Sequence, residues 1–190
     1  MTFYLGLGQY QVAAHILERA VQRDSTSADA HYWLGRVYLD LDRSPQALAT
    51  LKKAVDLAPQ AWQCRHWLGV AYMGADRLAE AVAAFEGAVN LAHWEPRPHL
   101  HLSRIYRALG RAESAQRQQQ HFDRLQSLAQ RAKRYQLQVE AYPEDARAHS
   151  NLAMAYGEQG RLDEALDYFR RAIDIDPHYG RAHYGMATVF

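Results

Sequence analysis

One short motif recurs along this chain at a nearly constant interval, and it restricts the fold more than any other feature. In each copy a leucine is followed by a small residue and, four positions after the leucine, by a tyrosine. The leucines are Leu34, Leu68, Leu102 and Leu152, so the interval is 34 residues twice and then 50. A repeat of this length holds two helices, and a lone helix pair cannot bury its apolar face. The period therefore predicts helix pairs that stack on their neighbours.

The second half of each unit shows the same regularity. After a helix stop comes a small residue, and a large residue usually comes four positions later. Small residues allow two helices to approach closely, bulky residues fill the space beside them, and a proline ends the second helix. The small and large residues are Ala47 with Leu51, Ala81 with Phe85, Ala115 with Gln119, and Ala165 with Phe169, and the closing prolines are Pro59, Pro143 and Pro177.

Together these residues resemble the tetratricopeptide repeat, whose pattern is Trp-x2-Leu-Gly-x2-Tyr, then Ala-x3-Phe-x2-Ala, then Pro. The resemblance implies an all-α fold, namely a right-handed superhelical α-solenoid of antiparallel helix pairs, as in bacterial scaffold proteins of this family. The sequence departs from the pattern where the first tryptophan is expected. The residues at that place are His31, Arg65, His99 and His149, while Trp33 and Trp67 lie two positions further on, on a different face.

The repeats predict a single solenoid over residues 1–190. Its parts are a partial repeat at 1–27, repeats at 28–61, 62–95 and 96–129, a long-helix insertion at 130–145, a repeat at 146–179, and a partial repeat at 180–190. Arrays of this kind normally end in a polar capping helix, and none is evident here. Tyr4 belongs to the first partial unit, and Tyr184 and Phe190 are uncovered in the last. We therefore expect a piece of a longer protein, or ends that dock on something, self-association included.

The irregular spacing before the fourth unit indicates a long helix. No Gly or Pro occurs from Ala112 to Tyr142, and apolar residues such as Phe122, Leu125 and Val139 keep a spacing of three and four. This predicts one helix at about 112–142, roughly 45 Å long at 1.5 Å per residue. Two interpretations stay open, an arm that binds a partner or two solenoid helices fused or kinked near Ala129.

The resemblance also implies a binding surface, because the first helix of each pair lines the concave side in this family. Aromatic residues occur near one end of that surface and arginines further along, and both types are enriched at binding hot spots. We expect a groove that holds a partner segment with aromatic or aliphatic anchors and acidic groups. Its predicted residues are Tyr32, Trp33, Arg36, His66, Trp67, Met73, Arg97, His101, Arg104, Arg107, Arg147 and Asn151. The opposing interpretation is that the tryptophans pack between repeats and the arginines are solvated.

Some members of the family bind the C-terminal carboxylate of heat-shock chaperones through a clamp of lysine, asparagine and arginine on three successive first helices. The nearest equivalents in this sequence include Val70 and no lysine, so the clamp is broken. The insertion also alters its geometry. A chaperone-tail adaptor is therefore not expected. The equivalent positions are His66, Val70, His101, Arg147 and Asn151.

Composition narrows the partner classes. The chain has 22 Lys and Arg against 21 Asp and Glu, a formal net charge of +1, so no nucleic-acid partner is expected. Only Lys52, Lys53 and Lys133 are lysines. The other basic residues are arginines, whose planar donor fork suits carboxylates and aromatic faces. No run of about 18 apolar residues predicts a membrane span, and the start lacks the pattern of a signal peptide. Localisation stays open between the cytoplasm and a bacterial periplasm.

Ten histidines and one cysteine, Cys64, raise the question of metal binding or catalysis. His31, His99, His149 and His183 recur at the same place in successive units, which indicates a structural role. His99 and His101 are two positions apart on a helix and point to different sides. No His-x3-His or Cys-x2-Cys spacing and no phosphate-binding glycine loop is present. We predict no catalytic residue, no metal site and no cofactor.

Three functions remain after these exclusions. The first is a protein-interaction scaffold, not an enzyme, that binds a partner peptide or protein through the concave groove. The second is a permanently bound subunit or assembly factor of a larger complex, which docks through its ends and the long helix. The third is the repeat region of a longer enzyme, such as a glycosyltransferase, whose catalytic part lies elsewhere.

Overall fold

The computed structural model describes residues 7–188, and within that span the chain forms ten helices and no strand. Short turns of three or four residues join consecutive helices, as expected for antiparallel neighbours. The helices are α1 (Leu7–Arg23), α2 (Ala28–Asp40), α3 (Ser44–Leu57), α4 (Trp62–Gly74), α5 (Leu78–Leu91), α6 (Pro96–Ala108), α7 (Ala112–Ala141), α8 (Ala146–Glu158), α9 (Leu162–Ile175) and α10 (Gly180–Thr188). The predicted all-α fold of helix pairs is confirmed.

The described chain divides into two compact units. The first unit comprises the described residues up to 92 together with 98–115, and the second comprises 93–97 and the described residues from 116 onward. Each unit has its own apolar core. Leu34, Leu51 and Phe85 lie in the core of the first, and Leu152 and Phe169 lie in the core of the second. Tyr4 and Phe190, expected in the partial end units, lie outside the described residues.

Each turn between the two helices of a pair contains one residue with a left-handed backbone. These four residues are Asp42, Asp76, Gly110 and Gly160, with φ of 55°, 57°, 70° and 76°. Such a residue ends a helix and lets the next N–H reach back to a carbonyl in the last turn of that helix. The N–H that does so belongs to an arginine, and the carbonyl belongs to the repeated tyrosine. The bonds are Arg43 to Tyr38 at 2.8 Å, Arg77 to Tyr72 at 2.9 Å, Arg111 to Tyr106 at 2.8 Å, and Arg161 to Tyr156 at 3.0 Å.

Glycine permits the close crossing of the two helices in a pair. A Cβ atom built on Gly69 would lie 2.8 Å from the ring of Phe85, and one built on Gly35 would overlap Leu51. The bulky residue of the second helix thus occupies the space that a side chain on the first would need. Phe85 and Leu51 are fully buried in these positions. In these two pairs the bulky residue of the predicted pattern therefore lies where the helices cross, and the small residue that it meets is the glycine of the first helix.

The recurring histidines anchor the loop that precedes their own helix. In three units the Nε2 of the recurring histidine donates a hydrogen bond to the carbonyl oxygen of the residue six positions earlier. In a fourth, Arg65 donates from Nε and Nη2 to the Pro59 carbonyl, both at 3.3 Å. A loop carbonyl is satisfied in this way without backbone pairing. The histidine bonds join His31 to Ser25 at 3.1 Å, His149 to Pro143 at 2.8 Å, and His183 to Pro177 at 2.9 Å.

The predicted long helix is confirmed as α7, which is continuous through Ala129. It ends at Ala141, one residue before the predicted limit, because the residue that precedes Pro143 is disfavoured in helical conformation. In the second unit α7 packs on α8 through Ala132, which is buried. Two polar contacts hold the same pair. The amide of Gln159 donates to the Leu128 carbonyl at 3.1 Å, and Arg131 forms an ion pair with Glu158.

Candidate functional site

Four of the predicted groove residues meet on the surface of the first unit. The guanidinium carbon of Arg36 lies 4.4 Å from the ring centroid of Trp67, 4.9 Å from that of Trp33 and 5.8 Å from that of Tyr32. Trp33 is 49% exposed, and its ring meets the Tyr32 ring edge-on at 5.1 Å. Cation–π attraction stabilises this arrangement. We refer to Tyr32, Trp33, Arg36 and Trp67 as the Arg36 cluster.

The rings hold the Arg36 guanidinium but leave its hydrogen-bonding capacity unused. Its Nε is buried and makes no hydrogen bond within the described part of the chain. Arg36 also forms no ion pair with any carboxylate among residues 7–188. Asp40 lies near enough for Arg36 to lower its pKa, but burial raises the pKa of that carboxyl more. The cluster therefore presents a positioned cation whose terminal N–H groups can donate hydrogen bonds to a carboxylate.

His66 and His101 pack on Phe85 beneath the surface of the first unit. The ring of His101 is parallel to that of Phe85, with centroids 4.8 Å apart, and His66 meets Phe85 edge-on at 5.5 Å. His66 is only 2% exposed. It was predicted to face the groove, but its burial means that it supports Trp67 and Phe85 from below, because a side chain without accessible surface cannot contact a partner.

The other predicted groove residues lie in separate places. Met73 packs partly buried against the core of the first unit. Arg104 and Arg107 are exposed on α6 and form no ion pair with any residue of 7–188. In the second unit, Arg97 is paired with Glu95 at 2.7 Å. Arg147 and Asn151, also in the second unit, line a cavity of about 370 Å³ together with Gln138, Tyr142, Asp145 and Ala148.

Sequence reasoning missed a larger cavity in the second unit, of about 540 Å³. It is bounded by side chains of α8, α9 and α10. Four apolar residues supply most of its wall, and Arg181 and Glu158 stand beside them. The signal that could have found it is Gly185, which takes the repeat position held by Trp67 and His101 in earlier units. The apolar residues of the wall are Met154, Leu162, Phe169 and Tyr184.

Some arginines proved to be structural, which sequence reasoning did not anticipate. Arg77 and Arg161, which follow the left-handed turn residues, lie over the repeated tyrosines, with guanidinium carbons 4.9 and 4.2 Å from the rings of Tyr72 and Tyr156. Each also pairs with a glutamate three residues later, at 2.5 and 2.6 Å. Some of the arginines that outnumber the lysines thus stabilise the turns of the repeats.

The described part of the chain shows neither a cluster of metal ligands nor a membrane-spanning helix. Residues 7–188 contain no group of three or more His, Cys, Asp or Glu side chains placed to hold a metal ion. Cys64 is buried, and burial raises the pKa of its thiol, so it is poorly suited to act as a thiolate nucleophile. Over the same residues, no helix combines the length and apolar character that crossing a bilayer requires.

Comparison with protein families identifies the repeat. Four family models match, each described as a tetratricopeptide repeat, at residues 4–65, 63–92, 96–118 and 146–179. The chain therefore belongs to the tetratricopeptide repeat family. The repeats of this family form a scaffold for protein–protein interaction. A search of curated proteins gave no match.

Solved structures share the fold. A crystal structure of MamA is 22% identical, with 92% of each chain covered and a TM-score of 0.55. TTC0263, a thermophilic tetratricopeptide repeat protein of Thermus thermophilus, is 24% identical over 96% of this chain and 91% of that one, with a TM-score of 0.57. YrrB, described as having an unusual peptide-binding site, is 20% identical over 92% and 99%, with a TM-score of 0.51. At these identities the likeness establishes the solenoid fold alone.

Proposed function

We propose that this protein binds a partner peptide through the Arg36 cluster, and that the partner offers a carboxylate flanked by an aromatic or aliphatic side chain. The observation that supports this is the Arg36 guanidinium, which is held over two tryptophan rings and has no carboxylate partner within residues 7–188. An arginine fixed in this way loses little conformational freedom when it binds. The likeness of fold to YrrB, which has a peptide-binding site, is consistent with the proposal.

The rings and the cation serve different parts of the same ligand. Trp33, half exposed, offers an apolar face on which an aromatic or aliphatic side chain can pack. The in-plane N–H groups of Arg36 can donate two parallel hydrogen bonds to a carboxylate. Exposed Arg104 and Arg107 add positive charge to the first unit and favour an acidic segment.

A selection from a random peptide library displayed on phage tests this proposal. The immobilised protein should enrich peptides in which Asp or Glu lies within two residues of an aromatic or aliphatic residue. The Arg36→Gln variant should lose the acidic preference, while Arg23→Gln, which changes an exposed arginine at the end of α1, should keep it. An enriched motif without acidic residues, or one that Arg36→Gln selects equally well, would contradict the proposal.

A second function, that of a permanently bound subunit, has its own supporting observation. Leu137 and Tyr142, at the end of α7 and just beyond it, are 56% and 65% exposed, and Val12 and Ile16 form an exposed apolar pair on α1. Contiguous exposed apolar surface marks protein–protein interfaces, and permanent interfaces are the more hydrophobic ones. Cross-linking of the protein in its native complex separates the two functions. Cross-links confined to α1 and α7 favour the fixed subunit, and cross-links around Arg36 favour peptide capture.

A further inference from the structure

The cavity of the second unit is lined by a glycine at a repeat position that holds a ring in three earlier repeats. The positions equivalent to Gly185 in the earlier repeats are Trp33, Trp67, His101 and Asn151. In the first unit, His101 lies flat on Phe85, the residue 16 positions before it. Phe169 stands 16 positions before Gly185, and a Cβ atom on Gly185 would overlap its ring. The ring that His101 places on Phe85 thus has no counterpart at Gly185, and Gly185 and Phe169 both line the cavity of about 540 Å³.

The walls of this space are apolar and accessible. Met154 is 39% exposed, Leu162 is 47% exposed and Tyr184 is 74% exposed, although each is large and apolar. Gly157 on α8 widens the space further, because it has no side chain to fill it. The volume lies within the range of about 300–1,000 Å³ that is typical of ligand pockets.

Arg181 supplies a cation at this space. Arg181 is exposed, and its Nη2 lies 3.4 Å from the Met154 sulfur, which is a weak acceptor. Among residues 7–188 it has no carboxylate partner. Glu158 lines the same cavity but already forms an ion pair with Arg131. Charge complementarity therefore favours an occupant that carries a carboxylate beside its apolar group.

We propose that this cavity is a second recognition pocket, which takes a large apolar side chain of a partner segment while Arg181 binds a carboxylate next to it. The pocket shares no residue with the Arg36 cluster. This proposal rests on the proposed function only in that the pocket and the Arg36 cluster both bind a protein partner. Since the two lie in different units, each can fail without the other. The carboxylate can belong to an acidic side chain or to the C-terminus of the segment.

The test is a titration of the 15N-labelled protein, followed by NMR, with short peptide probes. The first probe is an amidated hexapeptide, Gly-Ser-Phe-Asp-Ser-Gly. Two others replace its Phe by Ser or its Asp by Asn, and a fourth, Gly-Ser-Gly-Ser-Phe, has a free C-terminus. The first or the fourth probe should shift the amide signals of Met154, Gly157 and Gly185 saturably. Tighter binding of the first probe identifies an acidic side chain as the source of the carboxylate, and tighter binding of the fourth identifies a C-terminus. The Ser and Asn probes should each bind about tenfold more weakly than the first.

Two variants separate the pocket from other surfaces. Gly157→Leu fills the cavity, and the probes should no longer bind to this variant. A Cβ atom at position 157 meets only the Ala165 Cβ, at 3.9 Å, so the fold is kept. Gly74→Leu is the matched control at the end of α4, where a Cβ meets only the Ser44 Oγ at 3.6 Å. Arg181→Glu, an exposed change that leaves the walls intact, should weaken the acidic probe about tenfold and leave the Asn probe unchanged.

Several results would overturn the proposal. One is equal binding of the first probe to Gly157→Leu, Arg181→Glu and the unchanged protein. Another is loss of the pocket shifts in Arg36→Gln, since the probe would then act through the first unit. A third is movement of the same signals with protein concentration and no probe, because a second copy of the chain would then be the occupant.

Discussion

The imidazole ring of His101 lies 4.8 Å from the ring of Phe85, and the two planes differ by only 5°. The contact joins the first helix of one repeat to the second helix of the repeat before it. The same register in the second unit pairs Gly185 with Phe169 and leaves a cavity. The same repeat position thus carries a ring on Phe85 in the first unit and no side chain beside Phe169 in the second.

Replacement of His101 by alanine should lower the stability of the first unit. A stacked pair of this kind contributes about 0.5–1.5 kcal/mol beyond the area that it buries. We expect His101→Ala to reduce the free energy of unfolding by about 1 kcal/mol or more in urea. His15→Ala, at an exposed site on α1, is the control and should change it little. Equal stabilities of the two variants would show that the stack contributes nothing.

Gly69→Ala should destabilise the protein even though alanine is the better helix former. The gain in helix propensity is about 1 kcal/mol, but the added methyl would lie 2.8 Å from the ring of Phe85, and overpacking typically costs about 1–3 kcal/mol. In Gly74→Ala, at the end of the same helix, the added methyl would make only an ordinary contact with the Ser44 Oγ at 3.6 Å, so this variant should be neutral or stabilising. Thermal unfolding compares them, and a Gly69→Ala melting temperature at or above that of the unchanged protein would contradict the crossing geometry.

Tyr38 should make stability fall at high pH. Burial, together with the hydrogen bond that its hydroxyl donates to Glu18 at 2.8 Å, raises the pKa of Tyr38 to about 12 from its ordinary 10.0. Above pH 10 the unfolded chain loses this proton while the folded chain keeps it, so stability decreases from pH 10 to about 12. The contribution is fully present below pH 10.

Urea unfolding across pH 9–12 measures this effect, with Tyr38→Phe as the comparison. The variant should be less stable at pH 9, because it lacks the hydrogen bond to Glu18. Its stability should then fall less steeply between pH 10 and 12. Parallel curves for the two proteins would mean that Tyr38 does not titrate differently on folding.

The start and end of the helices could be predicted because they depend on local chemistry. Proline and left-handed residues stop a helix whatever surrounds it, which is why the predicted limits of α7 were within one residue of those observed. Asp42 and Asp76 take the left-handed turn position that Gly110 and Gly160 occupy in other units. Their equivalence is visible only when the repeats are aligned.

The direction in which individual side chains point was harder to predict than the limits of the helices. His66 and Trp67 are neighbours on one helix, about 100° apart, and spacing alone does not say which of them meets Phe85. The structure buries His66 and leaves Trp67 partly exposed beside Arg36. A cavity is harder still, since it depends on what Gly185 and Gly157 leave empty. Gly185 shows as a gap only when the repeats are aligned, and the volume that it leaves depends on the neighbouring helices.

The amide of Gln159 should be needed to hold the second half of α7 in place. Gln159 is buried, and its bond to the Leu128 carbonyl joins α8's end to α7. We expect Gln159→Leu to raise amide hydrogen exchange in residues 129–141 about fivefold, since one such bond contributes about 1 kcal/mol. Gln126→Leu changes an exposed glutamine on α7 and should leave exchange as it is. Equal protection of these amides from exchange in both variants would show that the bond from Gln159 to Leu128 does not hold α7 in place.

The central claim is that Arg36 binds a partner's carboxylate, and calorimetry with an acidic peptide from the phage selection tests it most directly. Hydrogen bonds to charged groups contribute about 1.5–3 kcal/mol. Arg36→Gln should therefore weaken binding about tenfold to a hundredfold, and Arg23→Gln should leave the dissociation constant unchanged. A folded Arg36→Gln variant that binds the peptide as tightly as the unchanged protein would contradict the account.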